Sequence, residues 1–132
     1  MNPKKIKIGC ASAFWGDTSS AARQLVEKGD IDYLVSDFLA EMTMSILAGS
    51  KKNNPKMGYA TDFIDQLSPL LETIKSKNIK VISNAGGVNL NSCKEALEEI
   101  AHSLGIALNI AIIAGDDLMS KKNELMCMNI KE

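Results

Sequence analysis

Acidic side chains occur in several short segments of the chain, and each is a candidate for acid–base chemistry or cation binding. Two carboxyl groups act as general acid and general base when burial separates their pKa values. Carboxylate oxygens are also the ligands that Mg²⁺ prefers. On this chemistry the candidate catalytic residues are Asp37, Glu41, Asp116 and Asp117. The sequence itself specifies neither a metal nor a cofactor.

Small and glycine-rich loops accompany these acids. Glycine lets backbone N–H groups approach an anion closely, above all just ahead of a helix. The chain has no GxGxxG and no GxxxxGK[ST] motif, so dinucleotide or Walker-type binding is not indicated. The candidate ligand-binding residues are Gly9, Cys10, Gly16, Asp17, Asn84, Gly86, Gly87 and Gly115.

Several of these residues have a structural interpretation as well. Asp37 could bind a ribose hydroxyl or cap the helix that follows it. The Gly86-Gly87 pair could approach a ligand or form a tight structural turn. Cys10 would need a base to act as a nucleophile, and the one histidine, His102, falls on a distant predicted helix. We therefore interpret Cys10 as a buried, unreactive thiol.

Four short apolar or β-branched runs have the length of buried strands, at residues 6–10, 33–36, 79–83 and 108–114. They alternate with segments of helical spacing, which is typical of βαβ units. We therefore expect an α/β fold with a mainly parallel sheet of at least four strands and helices on both faces, Rossmann-like in arrangement. Part of a β/α barrel is the alternative.

Apolar stripes between these runs predict four helices, which Gly29, Gly49 and Gly105 help to delimit. Asp17 or Thr18 is a candidate cap for the first helix. In the third, Pro69 implies either a kink or a fresh turn capped by Ser68. The segment 92–95, Ser-Cys-Lys-Glu, is typical of a capping box at the start of the fourth.

The predicted topology puts several candidate residues near the carboxyl ends of the strands. Ligands of open parallel sheets bind outside the carboxyl ends of the strands. Asp37, Asn84 and Asp116 follow the second, third and fourth predicted strands, and Asp17 lies in the loop after the first. We expect these four side chains on one edge of the sheet.

Length and charge restrict the class of protein. A chain of 132 residues corresponds to one domain, 1–132, whose tail at 118–132 is helical or partly ordered. The 15 basic against 16 acidic residues give a net charge of −1, which argues against nucleic acid or an anionic membrane as the partner. Three cysteines without a CxxC motif favour a reduced, cytoplasmic protein.

Methionines are frequent in the tail and in the second predicted helix. An exposed apolar patch usually marks an interface, and a two-fold dimer is the commonest closed arrangement. We therefore expect a homo-oligomer, with a tail folded over its own sheet as the monomeric alternative. The candidate interface residues are Met119, Leu125, Met126 and Met128, with Met42 and Met44 as a second patch.

Five segments together resemble a known family. They are IGC at 8–10 with GD at 16–17, GDIDYLV at 29–35, LAE at 39–41, NAGG at 84–87 and GDDL at 115–118. Their order and spacing are similar to the N-terminal region of the acyclic terpene utilisation AtuA family. The resemblance implies that the protein takes part in the catabolism of acyclic terpenes through acyl-CoA intermediates. The expected ligand is a small organic acid or its CoA thioester, and the alternatives are a non-catalytic interaction module or a nucleotide-binding domain.

Overall fold

Three parallel strands form the sheet of the protein. The computed structural model describes residues 5–128. The strands are β1 (Ile8–Ser12), β2 (Tyr33–Ser36) and β3 (Lys80–Ser83), and they lie in the order β1-β2-β3. All pairing is parallel, as the apolar runs predict, so the α/β class and the parallel sheet are confirmed.

The prediction of a fourth strand is wrong. Residues 107–117 form neither helix nor strand in the described structure. Ile106, Leu108 and Ile110 pack against the hydrophobic core, whereas Ile113 is 92% exposed. The Lys75 ammonium group, from the helical layer, donates a hydrogen bond to the carbonyl of residue 107. The apolar residues of this run pack on core side chains and do not pair with the sheet. An apolar pattern alone does not distinguish these two arrangements.

Helices account for most of the remaining chain. Two 3₁₀ turns, Ser68–Leu70 and Met119–Lys121, precede α4 and α6 respectively. The helices are α1 (Ala21–Lys28), α2 (Glu41–Asn53), α3 (Thr61–Leu67), α4 (Leu71–Ser76), α5 (Leu90–Ser103) and α6 (Lys122–Cys127).

The helix boundaries differ from the predictions at two places, and at a third the sequence leaves two alternatives open. At Pro69 the structure has a fresh 3₁₀ turn between α3 and α4, although Ser68 makes no capping bond. α2 continues through Gly49, where the sequence predicts its end. The predicted capping box at 92–95 is wrong because α5 already begins at Leu90. Its N-cap residue Asn89 instead uses its side-chain amide to donate to the carbonyls of Pro55 and Met57. Tertiary hydrogen bonds thus override the local capping signal.

Within residues 5–128, helices cover only one face of the sheet. Residues that alternate along the strands are buried against the helices, namely Gly9, Ala11, Leu34 and Ser36. The opposite face is open, with Ile8 66% and Ile82 55% exposed. This differs from the expected cover on both faces. When sheet order follows chain order, each right-handed crossover carries its helix to the same side, as in a β/α barrel.

The core lies between the covered face and the helices. Its largest fully buried side chains are Phe38, Leu34, Leu47, Leu70 and Val26. The rings of Phe38 and Phe63 meet edge to face, with their centroids 5.8 Å apart. Because Phe38 is fixed in this way, the chain segment that leaves β2 is held firmly in place.

The tail contributes little to this core. Met119, Met126 and Met128 are more than half exposed, as is Met42 on α2. Met44 and Leu125 are half-buried. Homo-oligomer formation stays a prediction here. Among the helices within residues 5–128, none is long and apolar enough to cross a membrane.

The one-sided core makes a direct prediction about stability. Leu34→Ala should lower the free energy of unfolding by about 2–5 kcal/mol, because it leaves a cavity beneath β2. The matched control is Ile82→Ala on the open face, which should cost at most about 1 kcal/mol since that side chain is already half in water. Urea unfolding measures both values, and equal losses would contradict a one-sided core.

Candidate functional site

The ends of β2 and β3 bring Asp37 and Asn84 together. Ser36 and Ser83 are paired in register, so the residues that follow them lie level at the carboxyl edge of the sheet. The Asn84 side-chain amide donates a hydrogen bond of 2.7 Å to Oδ1 of Asp37. The backbone N–H of Phe38 in turn donates to Oδ1 of Asn84 at 2.8 Å. These two contacts fix the orientation of the Asn84 amide.

A row of serines at the strand ends forms hydrogen bonds to the backbone next to this pair. Ser12, Ser36 and Ser83 are in register at the ends of the three strands. The Ser12 hydroxyl donates to the carbonyl of Asp37 at 3.1 Å, and the Ser83 hydroxyl donates to the carbonyl of Ser36 at 2.9 Å. These serines are not among the candidate residues predicted from the sequence, although one serine at the end of each strand is a repeated signal.

Two hydrogen bonds favour the ionised form of Asp37. The pKa of its carboxyl group lies below its ordinary value of 3.8, first because Asn84 donates to it and second because the Leu39 N–H does so. Hydrogen bonds to the charged form of an acid favour that form. Both bonds end on Oδ1, and within residues 5–128 no hydrogen bond reaches Oδ2. The carboxylate therefore offers a free acceptor to solvent.

Asp37 does not cap α2. That helix begins at Glu41 with Ala40 as its N-cap residue, and no side-chain capping bond is present there. The bond from Leu39 N–H to Asp37 instead stabilises the turn that leads from β2 towards α2. The capping interpretation of Asp37 is therefore wrong.

The carboxylate of Asp17 forms a hydrogen bond within its own loop, the loop that follows β1. Oδ2 of Asp17 accepts a hydrogen bond from the backbone N–H of Ala13 at 3.0 Å, while Gly16 adopts a φ of +87°. Neither Asp17 nor Thr18 caps α1, whose N-cap residue is Ser20. Gly9 faces the helices, where a Cβ atom would lie only 3.0 Å from Leu25. The structure thus accounts for Gly9 by packing.

The expectation of a buried Cys10 is wrong. Gly9 and Ala11 face the helices, so the alternation of the strand turns Cys10 to the open face, where it is exposed. The buried thiol is that of Cys93 on α5, and burial raises its pKa to about 11.

The Gly86-Gly87 pair occupies a crowded turn. A Cβ atom on Gly86 would lie 2.4 Å from the side chain of Leu90, and one on Gly87 would lie 2.5 Å from Leu47. Gly87 also has a φ of +52°, which L side chains rarely adopt. The pair therefore allows the turn after β3 to pack between α2 and α5.

Within residues 5–128, no hydrogen bond joins the remaining candidate acids to Asp37 or Asn84. Glu41 is exposed in the first turn of α2, and Gly115 and Asp116 are exposed in the irregular segment after α5. Oδ1 of Asp117 accepts a hydrogen bond from the Met119 N–H. Within residues 5–128, no three His, Cys, Asp or Glu side chains are grouped so that they could hold a metal ion.

Two surface clefts lie away from the Asp37–Asn84 pair. One has a volume of about 290 Å³ and lies beside α1 and α3, lined by Ser19, Arg23, Asp62, Asp65, Gln66 and Pro69. The other has a volume of about 550 Å³ and follows the outer side of β1, lined by Cys10, Ala21, Gln24, Leu25, Lys28 and Gly29. Neither cleft contains Asp37 or Asn84, and both of these residues are exposed at the carboxyl edge of the sheet.

These features define the class of protein: a small parallel α/β domain that carries a polar pair at the carboxyl edge of its sheet. Residues 6–131 match the family described as acyclic terpene utilisation family protein AtuA, and the chain belongs to that family. The expected resemblance is confirmed. Membership suggests a role in terpene-type catabolism. No curated protein and no solved structure matches the chain.

The hydrogen bond from Asn84 sets the acidity of Asp37. Asn84→Ala should therefore raise the pKa of Asp37 towards its ordinary value of 3.8. Because the native pKa is lowered, this carboxylate stabilises the fold above its unfolded pKa, and the stabilisation is lost as the pH falls through the native value. Carboxyl ¹³C NMR titration measures the change. An unchanged midpoint in Asn84→Ala would show that the Leu39 N–H dominates instead.

Proposed function

We propose that the carboxyl edge of the sheet binds the acyl thioester of a small carboxylic acid, within the terpene-type catabolism that family membership suggests. The observation that carries the proposal is the hydrogen-bonded pair of Asp37 and Asn84, exposed at the edge where parallel sheets bind ligands. The pair offers one acceptor and one donor at fixed positions.

The donor is the Asn84 amide. Within residues 5–128 this group donates through one of its two Nδ2 hydrogens, to Asp37. The second hydrogen is suited to the carbonyl oxygen of a thioester. Oδ2 of Asp37 is suited to a donor on the ligand, such as a hydroxyl or an amide N–H of the CoA arm.

The charge of Asp37 favours the thioester over the free acid. An ionised carboxylate repels a second carboxylate nearby, whereas a thioester is neutral at its reactive group. The lowered pKa of Asp37 also makes this residue a weak general base at neutral pH, since an efficient base has a pKa near the operating pH. The hydrogen-bonded pair thus supports binding more directly than proton transfer, and the proposal rests on Asp37 and Asn84 alone.

Binding of short branched thioesters tests the proposal. We expect 3-methylbutanoyl-CoA to bind more tightly than 3-methylbutanoate or free CoA in isothermal titration calorimetry. Asn84→Ala should weaken thioester binding by about tenfold, the equivalent of one lost hydrogen bond. Asp37→Asn should narrow the preference for thioester over acid, because it removes the repelling charge.

Asp117→Asn is the matched control for this experiment. It removes an exposed carboxylate whose hydrogen bond goes to the Met119 N–H and not to Asp37 or Asn84, so thioester binding should not change. An equal narrowing of the preference in Asp117→Asn and Asp37→Asn would show that the effect comes from net charge and not from the position of Asp37. Unchanged binding in both Asn84→Ala and Asp37→Asn would place the ligand elsewhere.

A further inference from the structure

We propose that a second copy of this chain covers the open face of the sheet, in an antiparallel two-fold dimer that brings the partner's Lys80 next to Asp37 and Asn84. The open face is the side of the sheet opposite the helices. It consists of three rows of side chains, which the strand register aligns as Ile8, Tyr33 and Lys80, then Cys10, Val35 and Ile82, then Asp37 and Asn84.

The first two rows present an apolar surface to solvent. Ile8, Cys10 and Ile82 are exposed, and Tyr33 and Val35 are half-exposed although they lie on the central strand. None of these five side chains belongs to the hydrophobic core or packs against it. A contiguous apolar sheet face of this kind can pack against a second sheet face.

Charges at the two ends of the open face identify the occupant. Lys80 lies in the row at the amino end, with its ammonium group 5.7 Å from the centre of the Tyr33 ring. Asp37 lies in the row at the carboxyl end. The face is therefore positive at one end, apolar in the middle and negative at the other, which makes it complementary to an inverted copy of itself.

Symmetry decides between the two ways of stacking the copies. If the strands ran parallel, each Asp37 would lie over the partner's Asp37, and like charges repel. If they run antiparallel, Val35 and Ile82 lie over their own counterparts and each Asp37 lies over the partner's Tyr33. A lysine side chain spans the one-strand offset of about 4.8 Å, so the partner's Lys80 reaches Asp37 and Asn84.

The size of the face limits the strength of the dimer. Three strands span roughly 10–15 Å in width, and about six residues span roughly 20 Å in length. The area of the face is therefore smaller than the roughly 800 Å² that each partner buries in a standard interface. We therefore expect a dimer that dissociates in the micromolar range and is weakened by salt.

The dimer would complete the candidate site, a consequence that rests on the proposed function. In the single chain the edge holds the anionic Asp37 and lies on open surface. The partner's Lys80 would add a cation beside it and a second wall. Such a cation suits the anionic phosphates of a CoA arm.

Charge reversal tests the arrangement directly. Sedimentation velocity of the wild-type chain, from low micromolar to several hundred micromolar, should show a monomer–dimer equilibrium. Lys80→Asp should weaken the dimer at least tenfold, since it places two acids against each other. Lys80→Asp combined with Asp37→Lys should restore it. Lys52→Asp, on the exposed surface of α2, is the charge-matched control and should leave dimerisation unchanged.

Thiol reactivity gives an independent measurement. In a Cys127→Ser background, Cys10 is the exposed thiol and Cys93 is buried. Reaction of Cys10 with a disulfide reagent should slow as the protein concentration rises, and Ile82→Asp should abolish the slowing. This variant changes the apolar centre of the face and leaves Asp37, Asn84 and Lys80 in place, so it does not depend on charge reversal being tolerated.

Each outcome has a definite meaning. A monomer at every concentration, with constant Cys10 reactivity, would overturn the dimer, as would a dimer that survives both Lys80→Asp and Ile82→Asp, which would point to the methionine-rich tail. Restoration by the double reversal supports the dimer even if no thioester binds, in which case only the proposed function fails. Normal thioester binding by monomeric Lys80→Asp would instead refute the role of the partner's Lys80.

Discussion

Burial of a single face of the sheet is the constraint on which the rest of this structure depends. Strand side chains alternate, so once Gly9, Ala11 and Leu34 face the helices, Cys10 and Ile82 must face away from them. The same alternation continues past the end of β2, where Ser36 and Phe38 are buried and Asp37 between them is exposed. The exposure of the candidate site and the open face therefore have one cause.

Hydrogen bonding, more than burial, gives the site its chemical character. Asp37 is exposed, so the surrounding protein does not raise its pKa by desolvation to any large extent. Two N–H donors from neighbouring residues lower it instead. The serine row ties these segments together, with hydroxyl groups that donate to the carbonyls of Asp37 and Ser36. The result is a fixed carboxylate that accepts hydrogen bonds well and accepts protons poorly.

The Asp37–Asn84 pair lies on exposed surface next to the open face of the sheet. The two surface clefts lie beside α1, away from the Asp37–Asn84 pair. Enclosure of a ligand at this pair requires a surface that the described part of the chain does not itself supply. The apolar rows that adjoin the pair are the natural contact for such a surface. Site and interface would then form one continuous area at the carboxyl end of the sheet.

The sequence by itself determined the parallel α/β class, three of the four strand positions and the family, because apolar runs, helical spacing and the motif order are local signals. It also placed Asp37 and Asn84 after neighbouring strands. Only the tertiary structure decided that residues 108–114 pack as an irregular segment, that Asn89 rather than the 92–95 segment starts α5, and that Cys10 is exposed. Each of these depends on which surface lies opposite, and an apolar or polar pattern does not carry that information.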